Sequence, residues 1–587
     1  MKNDTLKKLG LTLFVIAVTV FFSLSFIVDI SFKDKDVSSL LEEKNKGLAN
    51  IVSTIDPAPA YQMPGALRNA FNQYNEVIVN EYGIKDDELK NFIEKLDSDA
   101  SKFDTSAVQS FFGKDDFLTT KFLENTSWMI GRDWQNFDQF KNSINDKLQN
   151  VNKAVVSEYG LGAEKQDAMV LILMTVGAPD FLKTGLWAFL IFGLAVAGGF
   201  IHFIPLWRKK PGIHNDHIHH NKSQTRQWPA IIVFVCLVGF YIFLYHYPHY
   251  LANQIALLKP LSENMSGGAA NQWFLYGFMY TLAMFTMGAR MMIKYRGNMY
   301  QQVRTVSVFF FQVAFAFTLP QILTRMQLPA YDLKSAWPLE YSFFFDYRID
   351  EYMQNGSLGL FLFGWGVVLF AIGVPLLTYF YGKRWYCSWV CGCGGLAETV
   401  GDPYRHLSDK SLGSWKIERW VVHSVLVFAV FMTAWVLYTA ISGDSELLGI
   451  NSYSVRSTYG FFIGFVFAGA VGTGFYPVMG NRVWCRFGCP LAAYLGLVQR
   501  FKSRFRITTN GGQCISCGNC STYCEMGIDV RWYAQRGQNI VRSSCVGCGV
   551  CSAVCPRGVL KLENKTEDGR INDNPILIGR EGVTLNL

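Results

Sequence analysis

Half of the 587 residues are apolar and only 17% carry charge, a balance too apolar for a water-soluble multidomain enzyme of this length. Most of the chain is therefore expected to lie in a bilayer. The net charge of +8 is distributed as membrane topology distributes it, and nothing suggests a nucleic-acid partner.

Apolar runs long enough to cross a hydrocarbon core of about 30 Å fall near 9–30, 183–206, 228–247, 273–293, 306–324, 358–381, 420–441 and 459–479. They predict a mostly α, polytopic bundle of about eight spans. The first run follows Lys7 and Lys8, and no small-x-small site precedes Asp29, so 1–30 reads as a retained transmembrane anchor rather than a cleaved signal. Cationic loops mark the cytoplasmic side. Arg208, Lys209, Lys210, Lys222 and Arg226 fill one such loop, Lys294, Arg296 and Arg304 a second, and Lys383, Arg384, Arg405, Lys410, Lys416 and Arg419 a third. The loops between them carry Asp332, Glu340, Asp346, Asp350, Glu351, Asp444 and Glu446. Both termini are then inside, as expected for a multi-pass protein of a bacterial inner (cytoplasmic) membrane.

Residues 31–181 form a long polar segment on the outer side, with 16 Lys and Arg against 24 Asp and Glu. Apolar residues at three- and four-residue spacing, as in Leu89, Phe92, Ile93 and Leu96, predict helices. Pro57, Pro59 and Pro64 mark a break before most of them. The segment has neither Cys nor His, so it offers no soft or imidazole ligand. A helical docking or structural domain is expected, with a bound flavin the alternative.

Residues 182–501 form a seven-span membrane domain. Five cysteines lie at the cytoplasmic ends of two spans, each in a C-x3-C motif: Cys387 and Cys391, followed by Cys393, after the sixth span, and Cys485 and Cys489 after the eighth. If helical, each pair places its sulfurs on one face. Two such faces would make a site for a third iron–sulfur cluster, for copper or zinc, or for a redox dithiol. Unligated thiols packed as small apolar groups are the alternative, and Cys236 fits that reading better.

The loop His214, His217, His219 and His220 is rich enough in imidazole to bind copper, nickel or zinc, although a solvated cytoplasmic loop is the simpler reading. His202 and His423 are candidate axial haem ligands or interfacial histidines. His246 and His249 lie among tyrosines, as an aromatic belt or a quinone headgroup site. Gln312 and Gln321, beside Pro320, are the other intramembrane polar groups that call for a role.

From 502 to 563 the cysteines condense. Cys514, Cys517, Cys520 and Cys524, then Cys545, Cys548, Cys551 and Cys555 before Pro556, repeat C-x2-C-x2-C-x3-C. That is the spacing by which bacterial ferredoxins hold two 4Fe–4S cubes, the fourth cysteine of each run serving the other cube. One cluster is then expected on Cys514, Cys517, Cys520 and Cys555, the other on Cys545, Cys548, Cys551 and Cys524. Paired zinc knuckles rarely take this form, and a reducing compartment disfavours disulfides. Glu525 stands where proline is common. The fold expected here is a C-terminal α+β ferredoxin domain of the 2×4Fe–4S bacterial type, followed by a polar tail, 564–587.

From Lys383 onward the sequence resembles the polyferredoxin-type membrane proteins NosR, NapH and CcoG. The resemblance rests on Arg384-Trp-Tyr-Cys387, Arg482-Val-Trp-Cys485-Arg-Phe-Gly-Cys489-Pro490-Leu491 and the two ferredoxin runs. It implies electron transfer between a quinol pool or cytoplasmic donor and a redox partner protein at the membrane or beyond it. CcoG-like members point instead to copper reduction or assembly of a respiratory metalloenzyme, and a redox sensor is a third reading. On the first two readings the chain is a quinol-oxidising or metal-reducing oxidoreductase component. Two departures stand out. Cys391-Gly392-Cys393 replaces the group's Cys-Pro, and the outer segment lacks the covalent flavin site of NosR.

Overall fold

The computed structural model describes residues 2–41, 46–96, 102–112, 116–208 apart from 131, 133 and 135, 227–564 apart from 444, 445 and 448, and two short strands, Leu577–Gly579 and Gly582–Thr584. The chain divides into two compact units. One comprises Thr19–Phe189 and Tyr247–Pro260; the other comprises Met1–Val18, Leu190–His246 and Leu261–Leu587.

The first unit is helical, as its 3.6-residue periodicity predicts. Leu89, Phe92, Ile93 and Leu96 are buried along and just beyond the helix Asp86–Lys95, against Phe103, Phe122 and Phe140. A second core joins Leu67, Phe71 and Tyr74 of Met63–Tyr82 to Val155 and Met174. Pro64 occupies the first turn of Met63–Tyr82, where its missing N–H costs nothing. The end of the first apolar helix is capped within this unit: the buried Asn253 Nδ2 donates to the carbonyls of Leu24 and Val28 at 2.9 and 3.1 Å. Gln254 Nε2 donates to Phe21 O at 2.9 Å.

Among the described residues of the whole chain, seven helices are long and apolar enough to cross a membrane: Asn3–Ile27, Leu186–Arg208, Trp228–His246, Met299–Arg325, Gly356–Tyr381, Leu412–Ser442 and Ser452–Gly474. This is a multi-pass membrane architecture. The expected eighth span, 273–293, is the helix Gln272–Lys294, which is long enough but less apolar. Its Arg290 and Lys294 turn inward to pair with the buried Asp402, at 2.7 Å each. In the second unit the first two apolar helices cross through glycines: a Cβ at Gly10 would stand 2.5 Å from Gly198 O, so backbones meet directly.

The ferredoxin segment closes with Phe505–Thr509 antiparallel to Leu560–Asn564, Phe505 opposite Asn564, while four-residue helices follow each cysteine loop. This is the α+β arrangement expected.

Replacing Asn253 by Leu removes its two hydrogen bonds to the carbonyls of Leu24 and Val28, a cost of about 1–3 kcal/mol. Thermal unfolding of the variant should show a correspondingly lower midpoint.

Candidate functional site

Each membrane C-x3-C motif is built in the same way. Cys387 ends the short helix Arg384–Cys387, the chain turns through Ser388–Val390, and Cys391 caps the helix Gly392–Thr399. Likewise Cys485 lies in a single π turn, Trp484–Gly488, and Cys489 caps Pro490–Lys502, its Sγ accepting from Ala492 N–H at 3.3 Å. The expected continuous helical face is therefore replaced by two bends, each with its first thiol in a short helical turn, Cys387 at the end of its turn and Cys485 near the start of its own, and its second thiol at the start of the next helix. A helix start turns free backbone N–H groups toward a sulfur placed there. Cys387, Cys391, Cys485 and Cys489 are all buried in one core.

These bends lie deep in the bundle rather than at its edge. Tyr280 donates to Gly392 O at 2.9 Å and Gln312 Nε2 to Val390 O at 2.5 Å. Tyr280 is fourteen residues from the Lys294 end of its helix, about 21 Å at 1.5 Å per residue. Gln312 lies in the π-helical stretch Phe311–Thr318, a local winding often found at functional sites. Gly394 is obligatory: a Cβ there would stand 2.0 Å from Cys387 O.

Cys393 lines a cavity of about 570 Å³ with Tyr280, Gln312, Gln321, Tyr476 and Trp484. The two glutamines singled out in the sequence thus meet in one place. The other intramembrane candidates go elsewhere. His202 Nδ1 bonds Lys7 O at 2.9 Å. His246 packs on Phe465. His249 is buried, which pushes it down to about 4 and keeps it neutral. Cys236 is exposed on its helix rather than packed. The histidine loop 214–220 lies outside the described residues.

In the ferredoxin segment the cysteines sort into two small cavities. One is lined by Cys514, Cys517, Cys520 and Cys555, the other by Cys524, Cys545, Cys548 and Cys551. Left-handed backbone at Ser516, Gly518, Gly547 and Gly549 tightens the loops, and Ile528 N–H points at Cys524 Sγ at 3.4 Å. Burial pushes the thiols of Cys520 and Cys545 up to about 12, so that thiolates there call for a bound cation. Such donor sets suit an iron–sulfur cube, which binds thiolates and takes N–H bonds to sulfur.

The second of these cavities is clamped to the membrane helices. Gln499 Nε2 donates to Cys545 O (2.9 Å), Ser388 Oγ to Val546 O (2.7 Å), Tyr300 OH to Gly547 O (2.9 Å) and Gln301 Nε2 to Cys548 O (2.8 Å). The first cavity faces outward, with Cys517 exposed and Ile515 54% exposed.

Between the membrane thiols and the clamped cavity runs a buried ionic network. Glu398 pairs with Arg304 (2.5 Å), Arg405 (2.6 Å) and Arg482 (2.6 Å). Glu525 pairs with Arg405 (2.6 Å) and Arg482 (3.1 Å). Burial pushes the Glu525 carboxyl up against the pull of these guanidiniums, while Lys294, Arg290 and Arg405 overcome burial to hold Asp402 below the usual carboxylate range. Arg482 Nη1 reaches Cys485 Sγ at 3.7 Å and Cys387 O at 3.1 Å; Arg405 Nη1 lies 4.0 Å from Cys548 Sγ. Sequence reasoning noticed Glu525 only as a departure from proline and missed Glu398, Asp402 and the role of the arginines. Charged residues within apolar surroundings were the available signal.

The chain is thus a multi-pass helical membrane protein that carries 4Fe–4S ferredoxin-type domains. A 4Fe-4S binding domain matches residues 363–414 and 459–508, which hold the two membrane motifs, and a 4Fe-4S dicluster domain matches 513–560. A protein of Escherichia coli (strain K12) named for electron transport, YccM, is 28% identical over 158 residues, 25% of this chain and 43% of its own. The methylamine utilization ferredoxin-type proteins MauN of Methylobacillus flagellatus and Paracoccus denitrificans are 23% and 28% identical, over 26% and 27% of this chain and 53% and 56% of theirs. The chain spans about half the length of the curated relatives it matches. No solved structure matches it.

Arg405→Leu would leave Glu398 and Glu525 undercompensated in a dry interior, at a cost of about 3–5 kcal/mol. A protease-susceptibility assay should find the ferredoxin segment cleaved far more readily in this variant than in the parent.

Proposed function

We propose that the chain relays electrons between a quinone-type carrier in the membrane cavity and a redox partner protein at the outward-facing ferredoxin cavity. The observation that carries this reading is the position of the membrane thiols. Cys393 borders the 570 Å³ cavity, and Arg482 and Arg405, joined through Glu398 and Glu525, link Cys485 to Cys548. The same reading assigns three clusters. Cys387, Cys391, Cys485 and Cys489 hold one; Cys524, Cys545, Cys548 and Cys551 hold the second; Cys514, Cys517, Cys520 and Cys555 hold the third. Its support is the 4Fe-4S binding domain matched to the segments of the membrane motifs, together with the closed, four-thiol character of that site. Each cube supplies one-electron chemistry at a potential set by its surroundings.

The chain's own residues do the rest. Beyond the bonds they give to Gly392 O and Val390 O, Tyr280 retains a lone pair to accept from a ring hydroxyl and Gln312 Nε2 a second N–H to donate to a ring carbonyl, and Trp484 and Tyr476 offer faces to stack on. A quinol bound there would release two protons and two electrons, and Cys387, Cys391, Cys485 and Cys489 would hold the one-electron centre that receives those electrons in turn. Ser262, Asn271 and Thr324, which line the same cavity, give those protons a polar way out to water. The ionic network keeps water from the gap between centres and places positive charge beside anionic thiolates. Resemblance to NosR, NapH and CcoG and the cationic loops favour a bacterial inner membrane, with the ferredoxin segment cytoplasmic.

Stopped-flow mixing of the full-length protein in nanodiscs with a short-chain quinol tests this. Bleaching of the iron–sulfur absorbance is expected, slowed about ten-fold in Gln312→Leu by loss of one hydrogen bond. Reduction by dithionite should be unchanged. A parent protein that quinol leaves oxidised, while dithionite reduces it, would refute the membrane donor.

A further inference from the structure

A second cavity, of about 240 Å³, lies where the helices Leu412–Ser442 and Pro490–Lys502 meet the ferredoxin loop 541–544. Lys383, Arg419, Arg486, Arg500 and Arg542 line it, with His423. Its one carboxylate, Glu418, is taken by Arg486 at 3.1 Å. Among the described residues no carboxylate pairs with Arg419, Arg500 or Arg542. Arg419 and Arg542 stand over the ring of Trp415, with their guanidinium carbons 5.4 and 4.6 Å from its centre, which holds both charges at the mouth. Lys383 Nζ is held at the inner end by Ser543 O at 2.7 Å.

Cations without a carboxylate partner that converge on a concave site attract an anion, and guanidinium forks match phosphate oxygens. The surroundings indicate where that phosphate comes from. The helix Leu412–Ser442 has 31 residues, about 46 Å, against about 30 Å of hydrocarbon. Arg419 immediately precedes its apolar run, so the cavity sits at headgroup level. Trp420 and Phe501, 71% and 69% exposed, flank it as membrane-facing apolar side chains.

We infer that this cavity binds the phosphate headgroup of an anionic phospholipid, with the acyl chains lying along Trp420 and Phe501. The bound phosphate neutralises the arginines and fastens the loop 541–544, immediately before Cys545, to the membrane helices. The assignment is independent of the direction of electron flow and of the quinone reading.

Native mass spectrometry of the delipidated full-length protein, titrated with phosphatidylglycerol or phosphatidylcholine, tests it. One phosphatidylglycerol per chain is expected to bind in preference, and about ten-fold or more weakly to R419Q/R500Q/R542Q. The single variant Arg500→Gln, at an exposed position, should lie between the two, which guards against misfolding of the triple variant. Equal binding of both lipids, or affinity unchanged in both variants, would overturn the site. Displacement of phosphatidylglycerol by millimolar inorganic phosphate or ATP would overturn the lipid as the source of the phosphate.

Discussion

Glu398 and Glu525 are buried carboxylates that arrive from different parts of the chain, one from a re-entrant membrane bend and the other from the ferredoxin segment. They share Arg405 and Arg482, and Arg304 completes the set from a membrane span. Ions taken out of water are tolerated only when each finds its partners in good geometry, so this network fixes the bend, the span and the ferredoxin loop in one register. The placement of Cys485 beside Arg482, and of Cys548 beside Arg405, follows from it. With Arg290 and Lys294 on Asp402, five cations face three carboxylates. The positive excess suits sites whose thiolates carry negative charge.

The two membrane motifs share one local design: a thiol in a short helical turn, a break, and a thiol at the start of the next helix. Repeating it from two segments brings four sulfurs into one core without any long loop. The same design explains why the bends penetrate the bundle. The backbone carbonyls of the first bend are satisfied by Tyr280, Gln312 and Arg482, as irregular backbone at membrane depth requires. The polar side chains that meet this need also line the cavity, so structural demand and a ligand site share the same residues.

The ferredoxin cysteines were legible in the sequence because their spacing is short and local, and the two cavities collect the sets that spacing predicts. Most spans were legible from apolar runs. Gln272–Lys294 was less so, since its inward charges pair with Asp402, more than a hundred residues away. The membrane cysteines were found, but as helical pairs at span ends; Gly392 and Pro490 already signalled breaks there. The network was illegible because its members are scattered from Arg304 to Glu525, and only the fold makes them neighbours. Gln312 and Gln321 were recognised as misplaced polar groups, while their common cavity depended on packing that no periodicity carries.

Iron and acid-labile sulfide per chain, measured with low-temperature EPR on anaerobically purified parent protein and Cys485→Ser, test the three-centre relay most directly. The account predicts about twelve of each in the parent and about eight in the variant, with one reduced-cluster signal lost. About eight of each in both proteins, with identical spectra, would show that the membrane thiols hold no cluster and would contradict the relay.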